Sequence, residues 1–117
     1  NYIKFGEVYF SVINEGVIKG WKRHKLAVQN ICSVYGETVF VIHDKRENSL
    51  TYNETAVITI NNVDKHSLIT IPSGVWYGFK CNSKGSSIIS NVSNIIHDPY
   101  ESESMPLNNE VFNYDWD

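Results

Sequence analysis

Ile71-Pro72-Ser73-Gly74-Val75-Trp76-Tyr77-Gly78-Phe79 sets a tight turn directly against an aromatic strand. Proline presets φ and glycine tolerates the left-handed region, so Pro72-Ser73-Gly74 reads as the turn. Val75 to Cys81 follows as a strand, and Ser86 to Ser93 pairs with it around Ser83-Lys84-Gly85. Working back toward the N-terminus, the same grammar predicts strands over Ser67–Ile71, Thr55–Ile60, Thr38–His43, Ala27–Val34, Val17–His24 and Glu7–Ile13. Turns fall at Asn61 to Lys65, Asp44 to Asn48, Tyr35-Gly36 and Asn14-Glu15-Gly16. Some eight short strands at roughly 8–12-residue spacing, with no helical pattern, leave an antiparallel sandwich or a small barrel.

Composition agrees. Val, Ile and Thr number 12, 13 and 5, against 6 for Ala and Leu together, in a chain of 117 residues. Such a chain favours strands over a helical bundle. The longest purely apolar run, Val39 to Ile42, is too short to span a bilayer as a helix, and no membrane partner is expected. There is no repeat and no composition break, so residues 1–117 read as one domain with residues 98–117 as an acidic C-terminal tail. That tail holds six acids and no Lys or Arg; its Tyr114 and Trp116 favour packing over disorder. Cys32 and Cys81 have neither zinc nor redox spacing and read as reduced thiols of a cytoplasmic protein, with one disulfide between them as the alternative.

The net charge is −3, which argues against general nucleic-acid binding. Four of the ten bases nevertheless cluster at Lys19, Lys22, Arg23 and Lys25. This is either a solvated basic face or the seat of a small anion such as a phosphate ester. Strand alternation puts Lys22 and His24 on one face, with Arg23 and Lys25 on the other. Facing inward, His24 and Lys22 supply a general base and a cation for an anionic intermediate; facing outward, they form a charged edge. Tyr77 is expected inward as a hydrogen-bond donor or acid, and Trp76 outward, into a subunit interface, with Trp21 doing likewise. Asn91 and Ser93 share a face and either line the pocket or bond across strands. His43 reads as structural beside Asp44, His66 as solvated, and His97 as either a pocket or a turn residue.

A Pro-x-Gly turn feeding an aromatic strand some fifty residues after a histidine-bearing strand resembles the cupins, jelly-roll barrels built as a double-stranded β-helix. Metal-binding cupins carry His-x-His and a later Glu in the first motif and a His in the second. Here Lys22 precedes His24, Tyr77 takes the late position, and no Glu follows at the usual distance. The resemblance therefore implies an all-β cupin with no metal, since one imidazole is not a ligand set.

Val17 to Lys25, Asn30, Gly36, Asp44, Arg46, the Ile71 to Phe79 stretch, Asn91, His97-Asp98-Pro99-Tyr100-Glu101 and Tyr114-Asp115-Trp116 together resemble the nucleotide-sugar cupins. These are the dTDP-4-dehydrorhamnose 3,5-epimerases and the dTDP-sugar 3,4-ketoisomerases. The resemblance implies a homodimer that takes a nucleoside-diphosphate 4-keto-6-deoxy sugar, in bacterial surface-polysaccharide pathways such as lipopolysaccharide biosynthesis. It also implies proton abstraction α to the ketone without a cofactor. Lys19 occupies the place of the sugar- or phosphate-binding base. Lys22 stands at the epimerases' catalytic His, and Lys22 with His24 at the ketoisomerases' pair. The family's tyrosine acid corresponds to Ile95 or Ile96, and its enolate-holding Lys to Gln29 or Asn30. The implied catalytic set is His24, Lys22 and Tyr77, with Lys19, Arg23, Asn30, Asn91 and His97 binding substrate. A non-catalytic sugar-nucleotide binder on the same barrel is the second reading, and a β-sandwich interaction protein without a pocket the third.

Overall fold

The computed structural model describes residues 5–107 and 114–116. Nine strands run through them: β1 (Glu7–Asn14), β2 (Ile18–His24), β3 (Gln29–Tyr35), β4 (Glu37–Asp44), β5 (Thr55–Asn61), β6 (Ile69–Ile71), β7 (Val75–Cys81), β8 (Ser86–Ser93) and β9 (Ser102–Ser104). They form two antiparallel sheets, ordered β1-β8-β3-β6 and β5-β4-β7-β2-β9. The result is the all-β jelly-roll barrel of the cupin type.

Alternation builds the interior. Along β8 every second residue is buried, so Ser87, Ile89, Asn91 and Ser93 point inward. Ile13, Ile31, Phe40, Ile60, Ile71, Val75, Tyr77 and Ile89 form the core between the sheets. Beneath it, Thr38 Oγ1 donates to Ser87 Oγ at 2.8 Å, so the polar pair costs little to bury. Cys32 and Cys81 are both free thiols. The Pro72–Gly74 turn is as expected. Gly74 has φ of 86°, and its N–H donates to the His24 carbonyl at 2.7 Å, pinning the end of β2.

β7 and β8 do not pair around Ser83–Gly85 as the sequence reading expects: the turn carries the chain from one sheet to the other, β7 lying between β4 and β2 and β8 between β1 and β3. Three further features depart from the sequence reading. First, regular structure continues past Pro99: β9 pairs with β2, Ser102 opposite His24 and Ser104 opposite Lys22. Polar Ser-Glu-Ser carries no apolar alternation, because a free strand edge is paired through backbone N–H and C=O groups whatever the side chains are. Second, β6 is confined to Ile69–Ile71, shorter than Ser67–Ile71. Third, Trp21 and Trp76 do point away from the core, but they do not wait for another subunit. They are 1% and 5% exposed within the single chain, packed with Val41 beneath Met105, Tyr114 and Trp116. The Trp21 and Trp116 rings lie 5.6 Å apart, and Tyr114 meets Trp116 edge-on at 5.0 Å. The terminal aromatics thus cover the outer face of the five-stranded sheet, as their pairing in sequence suggested.

Beside the Pro72–Gly74 turn, Asp44 organises the β4–β5 loop. It accepts from Arg46 Nε and Nη2 at 3.0 and 2.9 Å, from the Arg46 N–H, and from Ser49 and Thr51. The Arg46 guanidinium first, then the two hydroxyls and the N–H, hold its carboxyl far below the usual range despite the opposing effect of burial. His43 beside it bonds Thr55 Oγ1 at 2.6 Å, a structural role with a different partner from the one expected. Because the folded pKa of Asp44 is depressed, its stabilisation is present above the unfolded value of about 4 and is lost as pH falls. Asp44→Ala is expected to cost about 2–3 kcal/mol in urea unfolding at pH 7, with a smaller difference from wild type at pH 3.

Candidate active site

Lys19, Lys22 and His24 enter the site from β2. Alternation alone would separate Lys19 from Lys22, three positions on. A bulge corrects this: Lys19 pairs with Phe79 and Lys22 with Tyr77, with the register shifting between them. The extra residue flips the strand, so both lysines line one hollow of about 430 Å³ together with Tyr9, Tyr77 and Phe79. Gly20 sits in the bulge because a Cβ there would run into Leu107 at 2.0 Å.

An adjoining hollow of about 360 Å³ shares Tyr9 and Lys22 with the first and is walled by His24, Glu101, Glu7, Gln29, Ser93 and His97, among others. His24 is 8% exposed and both its ring nitrogens are engaged. Nδ1 meets Glu101 Oε1 in a short contact, and Nε2 lies 3.2 Å from the Tyr77 hydroxyl. Glu101 reaches this position because β9 draws the chain back across β2, the Lys25 N–H donating to the Glu101 carbonyl. Its second oxygen accepts the N–H groups of Leu26 and Ala27 at 3.2 and 3.1 Å.

Electrostatics assigns the protons. Burial pushes Glu101 up, but the His24 hydrogen bond and the two backbone N–H groups outweigh it and leave the carboxyl below its ordinary value. An ionised Glu101 only accepts, so Nδ1 carries the hydrogen, and in the neutral ring Nε2 presents its lone pair. Tyr77, 4% exposed, is pushed well above a normal phenol by burial, with the Tyr9 and Glu101 charges adding to it. It therefore stays an O–H donor, and at rest it donates to Nε2. The arrangement is a carboxylate-braced imidazole beside a hydroxyl, with two lysine side chains close by. It can remove a proton and hold an oxyanion.

Of the residues expected from sequence, His24, Lys22, Tyr77 and Lys19 are brought together, with His97 exposed at the rim. Asn91 is buried behind Tyr9 and donates to its phenol oxygen at 2.9 Å. Arg23 and Asn30 line neither hollow. Arg23 is on the outer face of β2, paired with Glu103 at 2.6 Å and lying over Trp76. Asn30 faces out of the four-stranded sheet and accepts from Thr70 at 2.8 Å, because its neighbour Gln29 takes the inward position. The sequence reading missed Glu101 and Tyr9 as site residues, and of Gln29 and Asn30, its two candidates for the place of the enolate-holding Lys, it took Asn30 as substrate-binding where Gln29 lines the hollow. Glu101 lies in the His97–Glu101 stretch, but nothing local shows that it returns to His24. Among the described residues, no three His, Cys, Asp or Glu side chains converge to hold a metal ion.

A jelly-roll barrel with a carboxylate-braced histidine lining an interior hollow defines a cupin with a candidate acid–base site. The comparisons narrow this further. The family model described as dTDP-4-dehydrorhamnose 3,5-epimerase matches residues 2–117. A dTDP sugar isomerase from Desulfovibrio desulfuricans G20 has a crystal structure that is 34% identical, with a TM-score of 0.95 over 98% of this chain and 73% of that one. The probable low-salt glycan biosynthesis epimerase Agl13 of Haloferax volcanii is 29% identical over 112 residues, 92% of this chain and 70% of Agl13. The spore coat polysaccharide biosynthesis protein SpsL of Bacillus subtilis is 26% identical over 114 residues, 96% of this chain and 75% of SpsL. The chain belongs to the dTDP-4-dehydrorhamnose 3,5-epimerase family.

The tautomer assignment is testable without substrate. Nitrogen-15 NMR of labelled histidine in the wild type is expected to show His24 protonated at Nδ1. Glu101→Gln is expected to release that preference and yield a tautomer mixture. An unchanged spectrum would mean that Glu101 does not set the proton.

Proposed function

We propose that this chain is a cofactor-free epimerase or isomerase of a nucleotide-linked 4-keto-6-deoxy sugar, acting by proton abstraction α to the ketone. The observation that carries the reading is His24, lining the interior hollow, braced by Glu101 at Nδ1 and bonded to the Tyr77 hydroxyl at Nε2. The diphosphate lies against Lys19 and Lys22, and the sugar extends into the hollow beside His24. When the Tyr77 O–H turns from Nε2 to the ketone oxygen, the imidazole lone pair is released to take the α-proton. Tyr77 and the Lys22 ammonium then hold the enolate oxygen. Residues 1–117 act as one cupin domain, and the protein works in the cytoplasm for surface-polysaccharide synthesis, lipopolysaccharide included.

The chain further acts as a homodimer. Val8, Phe10 and Val12 of β1 are 48%, 64% and 62% exposed and share the outer sheet face with their cross-strand partners Val92 and Ile88. An uncovered apolar stripe of this kind is suited to a second copy. Sedimentation is expected to give a dimer for wild type and a monomer for Phe10→Glu.

The catalytic reading is tested by incubation with dTDP-4-keto-6-deoxyglucose in heavy water, followed by proton NMR. Wild type is expected to exchange the proton at C3 or C5, and His24→Ala to lose about 10²–10⁴ of that rate while still binding dTDP. Binding of dTDP by wild type without any exchange would instead establish a non-catalytic sugar-nucleotide binder.

A further inference from the structure

We propose that Tyr9 is the general acid of this barrel, returning a proton to the face of the substrate carbon opposite the one His24 deprotonates. The assignment rests on the reading of His24 as base. Inversion at carbon needs a proton removed from one side and delivered from the other. The two sheets supply those two sides. His24 stands on β2 of the five-stranded sheet and Tyr9 on β1 of the four-stranded sheet, and both open onto the same hollow.

The hydrogen bonding of Tyr9 suits a donor. Asn91, its partner across β1 and β8, gives an Nδ2 hydrogen to the phenol oxygen at 2.9 Å. The phenol's own hydrogen has no acceptor among the described residues. Tyr9 is 38% exposed and lines both hollows. Asn91 is 4% exposed and spends its Nδ2 on the phenol, while its buried Oδ1 is without a partner among the described residues. Burial, then the charges of Glu7 and Glu101, raise the phenol against the lowering effect of Asn91, and Tyr9 therefore rests as O–H at neutral pH.

Tyr77 is the competing acid, and its position argues against it. It lies on β7, beside β2 on the same sheet as His24, with its hydroxyl at the His24 Nε2. A proton given from there returns to the face it left, which restores the starting configuration.

In the forward step, His24 Nε2 takes the α-proton and the C–H electron pair becomes the enolate double bond. The enolate carbon then takes the Tyr9 proton on its opposite face, and the carbonyl reforms. His24 is left as imidazolium and Tyr9 as phenolate, and one proton passed through water in the open hollow resets both.

The test compares wild type, Tyr9→Phe and Tyr77→Phe on dTDP-4-keto-6-deoxyglucose in heavy water. Deuterium in recovered substrate and the amount of inverted product are read separately by NMR, and dTDP affinity checks folding. Tyr9→Phe is expected to lower inverted product about 10²-fold or more while deuterium continues to enter the recovered substrate. Inversion within twofold of wild type in Tyr9→Phe would overturn the assignment. So would exchange without inversion in Tyr77→Phe, or loss of both exchange and inversion in Tyr9→Phe at unchanged dTDP affinity. Wild type that binds dTDP without exchange would instead overturn the enzymatic reading, and the acid with it.

Discussion

The pairing of β9 with β2 is the constraint on which the site depends. β2 is held from one side by β7 and from the other by three polar residues of β9. That short ladder carries Glu101 to the one place where a carboxylate can meet His24 and also accept two backbone N–H groups at the end of β2. Without it, a buried imidazole nitrogen and two donors would lack partners, a cost of several kcal/mol at about 1–3 each. The same return positions Met105, and with it the aromatic cover over Trp21 and Trp76. Chemistry on the inner face and packing on the outer face are therefore closed by one stretch of chain.

β2 divides its labour by face, and the bulge at Gly20 makes the division work. An unbroken strand would turn Lys19 outward, leaving Lys22 and His24 inside without a second cation. With one extra residue, Lys19, Lys22 and His24 all reach the interior, while Trp21 and Arg23 go outside to the tryptophan cluster. Gly20 and Gly78 oppose each other at this point, and a Cβ on Gly78 would lie 3.1 Å from the Lys19 carbonyl. The glycines exist for close approach between strands as much as for the site itself.

The interior has a polarity of its own. Lysines gather at one hollow and the His24–Glu101 pair at its neighbour, with Tyr9 and Lys22 common to both. Two adjoining hollows thereby offer different surroundings. β1 contributes to both the inside and the outside of the molecule: Tyr9 faces the hollow, while Val8, Phe10 and Val12 form an apolar exterior.

Much of this was readable from the chain. The β-branched composition, the turn at Pro72–Gly74 and the spacing of alternating runs determined an antiparallel barrel, because each reflects local backbone preference. The shared face of Lys22 and His24, and the inward Tyr77, followed from strict alternation. Three things were settled only by the tertiary structure. Glu101 lies 77 positions from His24, and β9 reads as polar tail, because pairing through the backbone leaves no trace in side-chain pattern. Lys19 reaches the site through a bulge that alternation cannot foresee, while Asn30 gives its expected place to Gln29 because strand register sets which neighbour faces inward. Tyr9 was indistinguishable from the apolar residues around it. Local preference determines which segments become strands. Which strands face each other across the barrel, and so which groups share a hollow, is set by long-range packing that single residues do not encode.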